Sequence, residues 1–368
     1  MCQGAPPVEL TVALDATLWD EPTTGIGRYG RAVAEALARN GVKVLRVGAR
    51  RSGELPRRLA SRTLHTLAEL PRVLPRSGAS LFHAVGNVDL PLLRIPGVPF
   101  VLTVHDLIPL TSPETVSFAF HWQFRLWLAR SLRVADHVVC VSAWTREQLL
   151  ARHPDLDPAR VSVVHNGVDH VRVEPLDAVS QAWIRSLGLP ERWVLFGGAL
   201  DARKNVDLVL DALERLGPRA PTLVLAGQRW YGAGPLERRV GALRAAGVDI
   251  RPLGFLAEPL LWALMAAAPV FVFPSRDEGF GLPPLEAMAL GTATVVSTAA
   301  ALPEVCGPAA VQVNPDDPVA LATALDRLLE DATERSKRGA SGRKHALRFR
   351  WDNVAAHLIE VYRSVISR

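Results

Sequence analysis

The sequence predicts an α/β protein built on two parallel sheets, one in each half of the chain. Short continuous apolar runs, such as Phe100 to Val104 and Pro269 to Phe273, recur along it and read as strands buried on both faces. Stretches with apolar residues at helical spacing lie between them, the pattern of parallel strands joined by crossover helices. At 368 residues the chain has room for two domains, and its character changes around residues 170–190 before the pattern restarts.

Leu10 to Ala16 is the first expected strand, followed by a glycine loop and a helix from about Arg28 to Asn40 that Gly41 stops. Gly25-x-Gly27-x-x-Gly30 matches the dinucleotide fingerprint by letter. That fingerprint needs its first glycine directly after the strand and an acid about 20 residues on. Here the loop intervenes, and Arg50 and Arg51 stand where the acid would be. An NADP site, with these arginines on the 2′-phosphate, is the alternative to a glycine loop facing a cleft. Val42 to Val47 is the second strand. Residues 46–76 then carry eight arginines against Glu54 and Glu69. A solvated surface helix and peripheral contact with an anionic membrane are the two readings of that stretch.

Leu81 to Ala84 and Phe100 to Val104 follow as strands, the second ending in His105-Asp106, where open α/β sheets place ligands. Pro113 to Leu132 interleaves Phe118, Phe120, Trp122, Phe124 and Trp127 with Arg125 and Arg130. Its spacing predicts a helix packed into the domain and no contact with nucleic acid. Asp136 to Ser142 is a strand, Ser142 caps the next helix, and Val161 to His165 closes the first half.

The second half opens with the strand Trp193 to Phe196 and a polar loop carrying Arg203 and Lys204 before the helix Val206 to Leu216. Two cations there suit a diphosphate, and a plain surface turn is the alternative. Strands at Thr222 to Ala226 and Ile250 to Leu253 and a helix at Glu258 to Ala267 lead to the stretch that organises this half. The strand ending at Phe273 gives way to Glu278-Gly279-Phe280-Gly281-Leu282, and two prolines open a short helix that carries Glu286 and ends at Gly291. Amides at a helix N-terminus suit a phosphate, and a nearby carboxylate accepts hydrogen bonds from sugar hydroxyls. Together they point to a nucleotide-sugar. Beyond lie the strand Thr294 to Ser297, a turn at Leu302-Pro303-Glu304, and helices at Asp317 to Leu329 and Trp351 to Ile366.

Cys2, Cys140 and Cys306 are scattered, which points away from a disulfide framework or a zinc site and toward a reducing compartment. The N-terminal residues lack the basic flank and apolar core of a signal peptide. Pro259 to Ser275, the longest uncharged window, holds 17 residues, short of a membrane span. The expectation is a cytoplasmic protein, peripheral to the inner membrane face if residues 46–76 touch lipid. A net charge of +5 suits anionic ligands.

Taken together, Thr24-Gly25-Ile-Gly27-Arg-Tyr, Val104-His105-Asp106-Leu107, Val141-Ser142, Asn166-Gly167-Val168-Asp169, Arg203-Lys204-Asn205, the Glu278-x7-Glu286 pair and Leu302-Pro303-Glu304-Val305 resemble the family 4 retaining glycosyltransferases of the GT-B fold. The resemblance implies two Rossmann-like domains facing each other across a cleft. The acceptor side would be 1–175 plus the helix 352–368, and the donor side 176–351. It implies that Glu286 holds the ribose hydroxyls and that Arg203 and Lys204 neutralise the diphosphate. Glu278 and the amides of Gly279, Phe280, Gly281 and Leu282 would grip the donor sugar. His105 would lie near the bond being broken, and Gly25 and Gly27 would approach the diphosphate. With no Asp-x-Asp that demands Mg²⁺, no metal is expected, and the only small molecule required is a GDP- or UDP-sugar. The acceptor would be a glycan or a lipid-linked or other glycoconjugate, and the string His105-Asp106-Leu107-x-Pro109 is similar to mannosyltransferase members. A non-catalytic sugar-nucleotide-binding protein is the remaining alternative. Arg276-Asp277 before Glu278, and Thr292-Ala293-Thr294 after Gly291, depart from the family's usual residues and bear on donor choice.

Overall fold

The computed structural model describes residues 10–19, 25–48, 65–171, 177–228 and 234–368. Thr24, Arg50, Arg51 and most of the basic stretch 46–76 lie outside them. The chain forms two compact units. One comprises Met1–Leu107, Trp122–Gly167 and Arg350–Arg368, and the other Ile108–His121 with Val168–Phe349.

In the first unit β1 (Thr11–Asp15), β2 (Lys43–Val47), β3 (Leu81–Ala84), β4 (Phe100–Val104), β5 (His137–Cys140) and β6 (Val161–Val163) form one parallel sheet in the order β2-β1-β3-β4-β5-β6. Helix α1 (Gly25–Arg39) buries Tyr29, Val33 and Leu37 against this sheet. Gly30 lies where a methyl group would meet the Trp19 indole at 2.4 Å, so this fingerprint glycine serves packing. The last helix, Trp351–Ile366, packs beside α1 and adds Trp351, Leu358 and Tyr362 to the same core. A buried polar chain ties these elements: His83 Nδ1 is 2.7 Å from the Tyr362 hydroxyl, and His83 Nε2 is 2.7 Å from Thr103 Oγ1. Thr103 Oγ1 is in turn 3.2 Å from the Tyr29 hydroxyl. Polar groups this deep persist only when each finds a partner.

In the second unit β7 (Trp193–Gly197), β8 (Thr222–Ala226), β9 (Ile250–Gly254), β10 (Val270–Phe273), β11 (Ala293–Ser297) and β12 (Val311–Val313) form a second parallel sheet, ordered β12-β11-β10-β7-β8-β9. β7 and β10 are fully buried, as their unbroken apolar runs require. They pair with Val194 opposite Val270.

Three expectations need correction. The aromatic stretch is a helix over Phe118–Val134, but it is not packed in throughout. It buries Phe124, Leu128 and Leu132, while Phe118, Phe120, Trp122 and Leu126 are exposed, because a 3.6-residue period cannot turn every aromatic residue inward. Leu302-Pro303-Glu304 is the first turn of a helix, Leu302–Cys306, with proline in the first turn where its missing N–H costs nothing. The stretch around residues 170–190, where the sequence changes character and a linker between the two halves is expected, contains a helix, Ala178–Ser186, capped by the Asp177 carboxylate on the Ser180 amide at 2.8 Å.

Helices at Gly234–Ala245 and Ala332–Ala346 have no strong apolar period in the sequence. The second buries Gly339 and Gly342 instead of large side chains. A methyl group at Gly339 would meet the Gly291 carbonyl oxygen at 2.1 Å, so this helix lies close against the backbone of its neighbour.

Candidate active site

In an open parallel sheet, ligands bind beyond the carboxyl ends of the strands at the point where the strand order reverses. In the second unit that point lies between β7 and β10. The loops following these two strands carry Arg203 with Lys204 and Glu278, respectively. The sheet therefore brings together residues some 75 positions apart in the chain.

Glu278 is the hub of the cluster. Its Oε1 accepts from Lys204 Nζ at 2.6 Å, Arg203 Nη1 at 2.7 Å and Ser275 Oγ at 2.7 Å. These are the contacts to its carboxylate among the described residues, and all fall on the one oxygen. Burial opposes ionisation of Glu278, but Arg203 and Lys204 outweigh it and hold the carboxyl below its ordinary range. Burial lowers the Lys204 ammonium from its ordinary value, with Glu278 opposing. Lys204 Nζ also sits 4.5 Å from the centre of the Phe273 ring, a strand residue beneath it.

Asp201 fixes the loop from which both cations project. Its carboxylate accepts from the Lys204 amide at 3.1 Å and lies 3.3 Å from Arg203 Nη2. Asn205 then turns the chain through a left-handed conformation (φ 55°) and donates its amide to the carbonyls of Pro274 and Pro315. Arg276 N donates to the Arg203 carbonyl at 2.8 Å, closing one loop on the other.

Gly281 has φ 98°, and a side chain there would meet Leu302 Cδ2 at 2.6 Å. Glycine is the residue that lets the backbone enter the helix Leu282–Leu290 at this angle. Gly227 meets a sharper limit: its added carbon would lie 1.7 Å from the Gly198 carbonyl oxygen, at the mouth of β7. Glu286 is buried on that helix, with His170 Nε2 3.4 Å away, and His170 packs edge-on against Trp262.

In the first unit His105 follows β4. Its Nε2 lies 2.6 Å from the Val85 carbonyl oxygen, which can only accept, so Nε2 carries the proton. Its amide donates to Asn87 Oδ1 at 2.7 Å, and Tyr29 stands edge-on against the ring at 4.7 Å. Burial lowers the imidazole to about 4, only partly offset by the Val85 carbonyl and Asp89, so it is neutral at pH 7. Gly25 and Gly27 stand in the first turn of α1, with open space beside Gly25.

The expected residues Arg203, Lys204 and Glu278 thus converge, and Glu286 lies on the adjoining helix. Ser275, Asp201 and His170 were not singled out from the sequence, and Asn205 entered only as part of the string Arg203-Lys204-Asn205. Asp201 had a readable signal, an acid three residues before Lys204 at a helical start. Among the described residues, no group of three or more His, Cys, Asp or Glu side chains is arranged to hold a metal ion. No described helix is long and apolar enough to cross a membrane.

Both the fold and the sequence have known relatives. The fold is similar to that of Anabaena HepE in complex with UDP and glucose (TM-score 0.74, 18% identity, 96% of this chain and 100% of that chain). It is also similar to the catalytic domain of starch synthase IV from Arabidopsis thaliana bound to ADP and acarbose (TM-score 0.76, 15% identity, 98% of this chain and 100% of that chain). The two parallel-sheet units are those of the GT-B class of glycosyltransferase folds.

Residues 23–172 match Glycosyltransferase Family 4, and residues 191–331 match Glycosyl transferases group 1. An alpha-maltose-1-phosphate synthase of Mycolicibacterium smegmatis is 31% identical over 287 residues, 73% of this chain and 74% of the relative. The O-antigen chain mannosyltransferase B of Escherichia coli is 31% identical over 274 residues, 72% of this chain and 70% of the relative. The chain belongs to glycosyltransferase family 4 and is a glycosyltransferase. Membership displaces the oxidoreductase reading of Gly25 to Gly30.

Proposed function

We propose that this enzyme transfers a sugar, with retention at the anomeric carbon, from a nucleotide-diphosphate donor to a glycan, lipid-linked or other glycoconjugate acceptor. The observation that carries the reading is the convergence of Arg203, Lys204 and Glu278 at the strand-order reversal of the second sheet. Breaking the bond between sugar and diphosphate leaves negative charge on the phosphate. Two preset cations and the amides of Gly279 to Leu282 stabilise that charge as it develops. Their positions are fixed beforehand by Asp201, Ser275 and the Arg276 amide, so little reorganisation is needed.

Glu278 has two tasks in this reading. Oε1 holds both cations, and Oε2 accepts from a donor-sugar hydroxyl. Glu286 accepts from the ribose hydroxyls. Neutral His105 contacts the donor sugar through Nδ1, because Nε2 is committed to Val85. The acceptor attacks from the leaving-group side and passes its proton to a phosphate oxygen, so no second carboxylate is needed as nucleophile. Mannose is the donor sugar we favour. The name of the Escherichia coli relative and the His105-Asp106-Leu107-x-Pro109 string support it.

A thermal-shift panel with GDP, UDP, ADP, their sugar derivatives and NADP⁺ tests the reading. A ligand at 100 times its dissociation constant adds about 2.7 kcal/mol. Stabilisation by one nucleoside diphosphate and its sugar names the base. Stabilisation by NADP⁺ alone overturns the proposal.

A further inference from the structure

The helix Phe118–Val134 turns Phe124, Leu128, Ser131 and Leu132 inward, so its opposite side carries Trp122, Leu126 and Arg133. Leu126 is 65% exposed and Trp122 41%. The segment beside it continues the same surface. Arg130 donates to the carbonyls of Leu90 at 3.0 Å and Leu92 at 3.3 Å, which holds this segment along the helix. Leu93, next in the chain, is 73% exposed.

The two segments that form this face carry charge of one sign. Residues 118–135 contain no Asp or Glu, and neither do residues 90–105. Asp136, just beyond the helix, is engaged by Arg94. Arg125 rests over the Trp122 ring at 5.1 Å, which keeps its guanidinium at the level of the indole. A merely solvated helix face mixes signs and carries few large apolar side chains. A face that pairs exposed Trp and Leu with arginines, and has no acid on its own two segments, is complementary to a layer that is anionic outside and apolar just beneath.

We propose that this face of the first unit docks on an anionic lipid bilayer. Trp122, Leu126, Leu92 and Leu93 enter the boundary between headgroups and acyl chains, and Arg125 and Arg133 meet the lipid phosphates. The surface is distinct from the basic stretch 46–76, and the proposal stands independently of the donor chemistry above.

The test is flotation of the full chain with vesicles of phosphatidylcholine alone and of phosphatidylcholine with 30% phosphatidylglycerol. Binding to the anionic vesicles is expected, with release in 0.5 M salt. Arg125→Gln and Arg133→Gln are each expected to weaken binding about fivefold, equivalent to about 1 kcal/mol. The double variant Leu93→Ser/Leu126→Ser should weaken it more than tenfold with an unchanged melting temperature, since both side chains are exposed. Absence of binding to anionic vesicles overturns the proposal. So does binding that the double variant leaves intact, which would place the contact elsewhere. A dimer in solution that the double variant dissociates, without vesicle binding, would make the face a self-association surface and also overturn it.

Discussion

Lys204 Nζ and Glu278 Oε1 meet at 2.6 Å with both side chains buried, at the one place in the second sheet where the strand order reverses. Removing one member of such a pair leaves the other charge without compensation, which costs about 3–5 kcal/mol. Glu278→Gln should therefore lower stability in a urea titration by an amount of that order. The bound diphosphate would then supply the missing anion. Nucleoside diphosphate should consequently raise the melting temperature of the variant more than that of the wild type. An equal rise in both would show that the cations do not meet the diphosphate.

Arg203→Ala should reduce turnover at least tenfold, because the guanidinium aids the departing phosphate. Glu286→Ala should weaken nucleotide affinity with a smaller effect on turnover. Steady-state kinetics and a binding titration separate the two, and wild-type values in either measurement would remove the corresponding role.

Burial holds the imidazoles of His83 and His105 far below their ordinary value, at about 3 and about 4 respectively. In the unfolded chain both titrate near 6.5. Between about pH 6.5 and pH 4 the unfolded state therefore binds protons that the folded state refuses, and stability falls as pH is lowered through that window. Below it, protonation of Glu278 removes further stability, since that group's folded value is depressed. His83→Gln should flatten the slope of melting temperature against pH in the upper window. An unchanged slope would assign the acid sensitivity to other groups.

Gly227→Ala should be among the most damaging single-methyl additions in the second unit. The new carbon would stand 1.7 Å from the Gly198 carbonyl oxygen, and backbone cannot yield as a flexible side chain can. We expect a loss of about 1–3 kcal/mol by denaturant titration, with donor affinity falling because the mouth of β7 must shift. Gly241→Ala, with open space around it, is the control.

The buried strands were legible because burial on both faces leaves an unbroken apolar run. Leu81–Ala84, Phe100–Val104 and Thr222–Ala226 end where the sequence places them. The helix Ala332–Ala346 was not, because it packs through Gly339 and Gly342, and close backbone approach leaves no apolar trace. The cationic pair and the two glutamates could be named from the sequence, yet their joining could not. It needs the sheet order, which no local pattern encodes. Nor could the sequence assign Glu278 Oε1 to two cations and a serine at once. The exposed face of the helix Phe118–Val134 was hidden in the sequence because its aromatic residues fall on both sides of a 3.6-residue period, and density of aromatics alone does not tell the two sides apart.

The helix Trp351–Ile366 belongs to the core that β1 and α1 begin. A ribosome delivers these pieces at opposite ends of its task, with the whole of Val168–Phe349 made in between. At roughly 5–20 residues per second that interval is on the order of ten seconds or more. Until it ends, Tyr29, Val33 and Leu37 lack the wall formed by Leu358 and Tyr362. The second unit, contiguous but for one short segment, can close first. The first unit, begun earliest, thus waits longest for its last piece, and it is there that a chaperone would be needed.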